Sequence, residues 1–199
     1  MKVVAATNNK HKLEEIRDIL KDIGYEVLSL NDVGIKIDIE ENGTTFRENA
    51  LIKAREIWKL TGKASIADDS GLEVFALSGA PGVYSARYAG VEGEEKDKAN
   101  NKKLLEKMKE IPEHKRQARF VSSIAFIFPD GKEIVTEGYI YGTIGYNEKG
   151  ENGFGYDPIF IIDGLDKTMA ELTSEEKNKI SHRANALEEL KKELIRLKS

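Results

Sequence analysis

Hydrophobic positions along the chain change period repeatedly, and the order of those changes spells alternating strands and helices. Val3–Ala6 is a short apolar run that predicts a first strand over Lys2–Ala6. After polar Thr7-Asn8-Asn9, Leu13, Ile16, Leu20 and Ile23 recur at helical spacing until Gly24 stops the run. A second strand is expected near Tyr25–Leu30. The spacing Thr45-x-x-Glu48 then announces a helix whose buried stripe is Phe46, Ala50, Ala54 and Ile57, with Asn49 and Lys53 one turn apart beside it. Ser65–Asp68 reads as a short strand broken by a polar turn at Asp69-Ser70-Gly71, and Ala80-Pro81-Gly82 as a loop. Residues 94 to 109 form a charged helix with Leu104, Leu105 and Met108 inward. Ala118–Phe128 and Glu133–Tyr141 flank the hairpin turn Pro129-Asp130-Gly131. A Gly-rich loop, 150 to 155, precedes a strand over Ile159–Ile162. Ala184, Leu187, Leu190, Leu194 and Leu197 stripe a last helix. Hairpin strands beside strand–helix units predict the α/β class with a mixed β-sheet and flanking helices.

Composition narrows the function classes. With 199 residues and 40% hydrophobic content the chain can bury a sizeable core, and a single domain over 1–199 is expected. Lys+Arg 31 against Asp+Glu 35 leaves a net charge of −4, which argues against a protein that holds nucleic acid through general phosphate attraction. There is no cysteine, so disulfides, thiolate metal sites and thiol nucleophiles are excluded. The opening apolar run is too short for a signal sequence and no run suits a membrane helix, so a cytoplasmic protein is expected.

Four segments carry candidate chemistry. Thr7-Asn8-Asn9-Lys10-His11-Lys12 lies between a strand and a helix N-terminus, where free N–H groups and the helix dipole favour a phosphate. Lys12 is a cation where a helix start disfavours one, which makes sense with an anion bound. Plain capping by Thr7 or Asn9 fits the same spacing. Asp68-Asp69-Ser70-Gly71 ends a strand, where open α/β sheets bind ligands. Asp69 with an acid from the Glu40-Glu41 loop would suffice for Mg²⁺, and converging acids can raise a pKa toward that of a general base. On spacing alone, a turn with solvated acids is the simpler reading of the same residues. Gly153-Phe154-Gly155-Tyr156-Asp157-Pro158 could form a slot in which a base stacks, or a loop whose aromatics plug the core. Ser181-His182-Arg183, after Lys177, gathers donors at the start of the last helix. The chain has no Walker A loop, and His11, His114 and His182 lack zinc spacing.

Taken in order, Thr7-x-Asn9-x-x-Lys12, Ala67–Leu72, Ala80-Pro81-Gly82 with Tyr84–Tyr88, Phe154–Pro158 and Ser181-His182-Arg183 closely resemble the inosine triphosphate pyrophosphatase family, nearly end to end. The resemblance implies an elongated mixed sheet with two lobes around a central nucleotide-binding cleft, and a homodimer. It also implies hydrolysis of non-standard purine nucleoside triphosphates such as ITP, dITP and XTP to the monophosphate and pyrophosphate, with Mg²⁺. On the matching positions it implies that Thr7, Asn8, Asn9, Lys10, His11 and Lys12 cradle the triphosphate and Lys53 adds positive charge. Ser70 then contacts substrate beside the metal. Asp69 is implied as proton acceptor and Mg²⁺ ligand with Glu40, Asp68 being the close rival. Phe154, Gly155, Tyr156 and Asp157 match the base-binding segment, and Lys177, His182 and Arg183 the purine contacts. Asn8 departs from the glycine frequent there; asparagine tolerates left-handed backbone, so the loop is expected to keep its shape.

Donors such as His182 and Arg183 suit a 6-keto purine and leave adenine's amino group unanswered, which supports strong discrimination. Water would attack in line at the α-phosphorus. Two rivals share parts of the pattern: a Maf-like pyrophosphatase for pyrimidine or modified nucleotides, and a nucleotide-binding module without turnover. Segments 154 to 157 and 181 to 183 speak against the first, and the paired carboxylates against the second.

Overall fold

A computed structural model describes residues 1–197; the last two positions of the expected 1–199 domain lie outside the described residues. The chain forms two compact units. The first comprises Met1–Ser70, Ser122–Gly138 and the residues from His182 onward, and the second Gly71–Val121 and Tyr139–Ser181. The division falls within three long strands. These belong to a six-stranded sheet of order β2-β1-β3-β4-β5-β6, and its mixed character is the one expected from the sequence.

In the first unit, β1 (Lys2–Ala5) pairs in parallel with β2 (Glu26–Leu28) and with β3 (Ala64–Val74). The helices α1 (Lys10–Lys21) and α2 (Phe46–Thr61) connect them. The two-residue strand period sends alternate side chains to opposite faces. Val3, Ala5, Ala64 and Ile66 therefore join Ile124 and Phe126 of β4 (Gln117–Ile127) in a core with Ile16 and Leu20 of α1. The same core takes Leu187, Leu190 and Leu194 of α5 (His182–Arg196). Val4, Ala6, Ala67, Ala125 and Ile127 face the other way, onto Ala50, Ala54 and Ile57 of α2. The capping box that places α2 is present: Glu48 N–H donates to Thr45 Oγ1 (3.1 Å), and Thr45 N–H donates to Glu48 Oε2 (3.2 Å).

The second unit has its own core, in which Leu72, Val74, Phe120, Ile140, Ile144, Phe160 and Ile162 pack with Leu104 of α3 (Lys96–Lys107) and with Met108, which caps that helix. β5 (Glu133–Ile144) pairs antiparallel with β6 (Phe160–Ile162). A short helix absent from the sequence reading, α4 (Ser174–Ile180), starts at a second capping box formed by Thr173 and Glu176.

Three local expectations are corrected. No turn interrupts β3: it runs as one strand through Asp68-Asp69-Ser70-Gly71, because partners from neighbouring elements satisfy those polar side chains inside the sheet. Leu197 lies beyond the end of α5 and is exposed. Asn8 does not use left-handed backbone; among the described residues only Ser78 and Asp166 do so outside glycine. No helix among the described residues is long and apolar enough to cross a membrane.

Candidate active site

Adjacent positions on β3 point to opposite faces, so Asp68 and Asp69 enter different surroundings. Asp68 shares the face of Ala64 and Ile66, toward α1 and α5. Only 2% exposed, it receives Lys12 Nζ (3.0 Å) and Arg183 Nε (2.8 Å) on Oδ2, and Ser122 Oγ (2.9 Å) and the Ser70 hydroxyl on Oδ1. Burial alone would favour the neutral acid. The Lys12 and Arg183 cations and these hydrogen bonds outweigh it and hold the carboxyl well below the usual range. Arg183, 1% exposed, also donates through Nη1 to both oxygens of Glu15 (3.0 and 3.1 Å). Against the cost of burial, the two carboxylates bind it firmly as a cation.

Asp69 shares the face of Ser65 and Ala67, toward α2. There Lys53 Nζ donates to Asp69 Oδ1 (2.8 Å), Glu41 Oε1 (2.9 Å) and the Asp68 carbonyl (3.0 Å). Burial pushes the Asp69 carboxyl above its ordinary value; Lys53 opposes the rise and the Glu41 charge adds to it. Lys53 is held charged: burial works against it, but it has two carboxylates to answer, Asp69 and then Glu41. The pair of aspartates is therefore differentiated. Asp68 is held well below the usual carboxylate range, whereas burial raises Asp69.

The loop before α1 combines two readings that the sequence kept apart. Asn9 caps the helix, its Oδ1 accepting from Lys12 N–H (3.2 Å), and Thr7 Oγ1 accepts from Asn9 N–H (3.1 Å). Asn8, Asn9, Lys10 and His11 remain exposed, so the loop still presents donors outward. Burial lowers the pKa of Lys12, Asp68 opposing and the Arg183 and Lys53 charges adding to the effect. Asn49, fully buried on α2, accepts Gly43 N–H (2.8 Å) and so fixes the loop that carries Glu41 and the exposed Glu40.

In the second unit, Asp157 Oδ2 accepts from Phe154 N–H (2.9 Å) and from Lys177 Nζ (2.5 Å), and that ammonium lies 4.6 Å from the centre of the Phe154 ring. Phe154 is 38% exposed, which leaves ring surface for a ligand. Tyr156 does not: it is core, and its hydroxyl donates to Ser85 O (2.9 Å). Lys177, placed by α4, thus joins Phe154 and Asp157, while buried His182 opens α5 in the first unit. Sequence reasoning missed Glu15, Ser122, Asp97 and Asn101, all of which bind residues it had singled out. Glu15 lies on the α1 face one turn after Lys12, a spacing that was readable. The others become neighbours only through the fold.

Comparisons with known proteins identify the family. The Ham1 family profile matches residues 3–193. The dITP/XTP pyrophosphatase of Clostridium perfringens (strain 13 / Type A) is 51% identical, with 97% of each chain covered. That of Haemophilus influenzae is 52% identical, covering 97% of this chain and 98% of its own. Among solved structures, a HAM1 protein from Coxiella burnetii superposes with a TM-score of 0.90 at 40% identity, covering 98% of this chain and 99% of its own. The Staphylococcus aureus Ham1 protein gives 0.88 at 47% identity, with 98% of both chains covered. Placed on a matching fold by near-complete sequence coverage, the chain belongs to the Ham1 family.

Proposed function

We propose that this chain hydrolyses non-standard purine nucleoside triphosphates (ITP, dITP and XTP) to the nucleoside monophosphate and pyrophosphate, acting in the cytoplasm as a homodimer and a single catalytic domain. The observation that carries the reading is the divided setting of two consecutive aspartates, Asp68 held by Lys12 and Arg183 and Asp69 paired with buried Lys53. Relatives about half identical over nearly the whole chain bear the name dITP/XTP pyrophosphatase.

Asp69 accepts a proton from the attacking water as its oxygen bonds to the α-phosphorus and the bond to the bridging oxygen of the β-phosphate breaks. Lys12 and Lys53 balance the charge that collects on the departing pyrophosphate. Thr7, Asn8, Asn9, Lys10 and His11 bind the phosphates at the start of α1, and Ser70 contacts the substrate nearby. The carboxylate oxygens around Lys53 fit Mg²⁺, since that site already accommodates a cation between Glu41 and Asp69. Asp69 with Glu40, the pair that the resemblance implies, would hold the ion, Glu41 being the acid that already meets Asp69 at Lys53; when bound, the ion neutralises phosphate charge. Phe154, Gly155, Tyr156, Asp157 and Lys177 form the base-binding segment, with Phe154 as the stacking ring. His182 and Arg183 are the donors for the 6-keto oxygen. Arg183 has the smaller share, because its guanidinium already serves Asp68 and Glu15.

The test is release of pyrophosphate and orthophosphate from ITP, XTP, GTP, ATP and dTTP, with and without Mg²⁺. Metal-dependent pyrophosphate from ITP and XTP, with little from the others, is the expected result. Orthophosphate as product, a preference for dTTP, or no turnover would overturn the reading.

A further inference from the structure

Helix α3 turns a polar pair inward where its apolar stripe would lead one to expect only leucine and methionine. Asn100 and Asn101 are buried, and each reaches a different loop of the second unit. Asn100 accepts from Ala89 N–H through Oδ1 (2.7 Å) and donates to Ser85 O (3.2 Å). Asn101 Nδ2 donates to Gly155 O (3.1 Å), and one turn earlier Asp97 Oδ2 accepts from Gly155 N–H (2.8 Å). The i, i+4 spacing brings the two side chains together on one helix face, and between them they hold both polar groups of a single glycine. The flanking bonds of that segment are local or come from elsewhere. Phe154 N–H and Lys177 meet on Asp157, and the Tyr156 hydroxyl reaches Ser85. No described side chain outside α3 bonds to Gly155.

We propose that Asp97 and Asn101 are positioning residues for purine selectivity, clamping Gly155 so that Phe154 and Asp157 present a fixed surface to the base. The proposal rests on the reading of Phe154–Asp157 as the base-binding segment. Its physical basis is that a glycine-containing loop loses its orientation unless its peptide groups are held, and selectivity through hydrogen bonds needs fixed donors and acceptors. The residues placed at the reacting end, Lys12, Lys53 and Asp69, all belong to the other unit. Loosening the clamp is therefore expected to act on KM and base preference, with little change in kcat.

Two isosteric substitutions separate a clamp from mere packing. Asp97→Asn keeps an oxygen that can accept from Gly155 N–H, whereas Asn101→Asp replaces the donor facing Gly155 O with an acceptor. Asn101→Asp and Asp97→Ala are expected to raise KM for ITP about tenfold and to reduce the preference for ITP over ATP by a similar factor, with kcat within about twofold. Asp97→Asn should recover most of what Asp97→Ala loses. In parallel, amide hydrogen exchange at Phe154–Tyr156 should speed up in Asn101→Asp and Asp97→Ala while amides of β4 keep their protection. Equal effects of Asp97→Asn and Asp97→Ala, a fall in kcat at constant KM, equal losses on every nucleotide, or unchanged exchange at Phe154–Tyr156 would overturn the proposal. Absence of ITP turnover in the unaltered chain would instead sink the functional reading, and the exchange measurement would still decide whether the clamp exists.

Discussion

Asp68 and Asp69 are consecutive, so the period of β3 sends one toward α1 and α5 and the other toward α2, and their neighbours do the rest. Asp68→Asn takes from Lys12 its carboxylate partner and leaves buried Arg183 with Glu15 alone. A loss of about 3 kcal/mol, roughly 6–12 °C in Tm, is expected and is read by thermal melts. The pH dependence follows from the direction of the shift. A carboxyl depressed in the fold contributes stability that is present above its unfolded value, about 4, and is lost as pH falls through the folded value. The deficit of Asp68→Asn should therefore be full at neutral pH and shrink in acid. Asp69 is shifted the other way, so at neutral pH its charged form contributes nothing comparable, and Lys53 keeps Glu41 when the charge is removed. Asp69→Asn is expected to leave Tm close to that of the unaltered chain while lowering pyrophosphate release by about 100- to 10,000-fold. A variant that melts early and inactivates only in proportion would count against Asp69 as the proton acceptor.

At the scale of elements, two close approaches decide where functional side chains sit. A Cβ on Gly138 of β5 would lie 2.1 Å from His182 O and 2.3 Å from Ala186 N, so the backbone of α5 packs directly on that strand. Gly138→Ala must displace the helix that carries His182 and Arg183, and stability and activity are expected to fall together, the former by about 1–3 kcal/mol. At Gly153 the Cβ would meet Asp157 Oδ2 at 2.1 Å, which disturbs one loop and leaves the core alone. Gly153→Ala should raise KM for ITP with a small change in Tm. The sequence made several of these elements legible because their determinants are local. The Thr45–Glu48 capping box, the Phe46–Ile57 stripe and the Asn9 cap all depend on residues within one or two turns. Other features were hidden for an equally physical reason. The polar run Asp68–Gly71 has the composition of a turn, and its partners inside the sheet are side chains distant in sequence, Lys12, Lys53, Ser122 and Arg183. α4 is seven residues long, too short for its periodicity to register. The inward Asn100 and Asn101 of α3 match no apolar template, and their partners lie in loops whose paths no local rule gives.

On the scale of the whole molecule, each unit has its own core. Phe75, Tyr84 and Tyr141 of the second unit each leave about half or more of their surface exposed, and exposed large aromatics of this kind suit the proposed homodimer. Sedimentation equilibrium should give twice the chain mass, and Tyr141→Asp should shift it toward the monomer if that surface is used. The dependence on Mg²⁺ should take a form set by how the acids are neutralised in the protein itself. Among the described residues no group of three or more potential ligands gathers in one place, and Lys53 already answers the charge of both Asp69 and Glu41. Lys53 thus acts as an internal counter-cation for these acids, a role that a metal plays in proteins that unfold when theirs is chelated. Mg²⁺ held by one or two carboxylates also binds weakly until phosphate oxygens complete its shell. A chelator is therefore expected to reduce pyrophosphate release to background, reversibly on adding Mg²⁺, while Tm stays nearly constant. The Mg²⁺ concentration needed for half-maximal rate should fall as nucleotide is raised. A large drop in Tm on chelation would mean that a metal site supports the fold, and full activity without metal would mean that Lys12 and Lys53 alone carry the charge of the departing pyrophosphate.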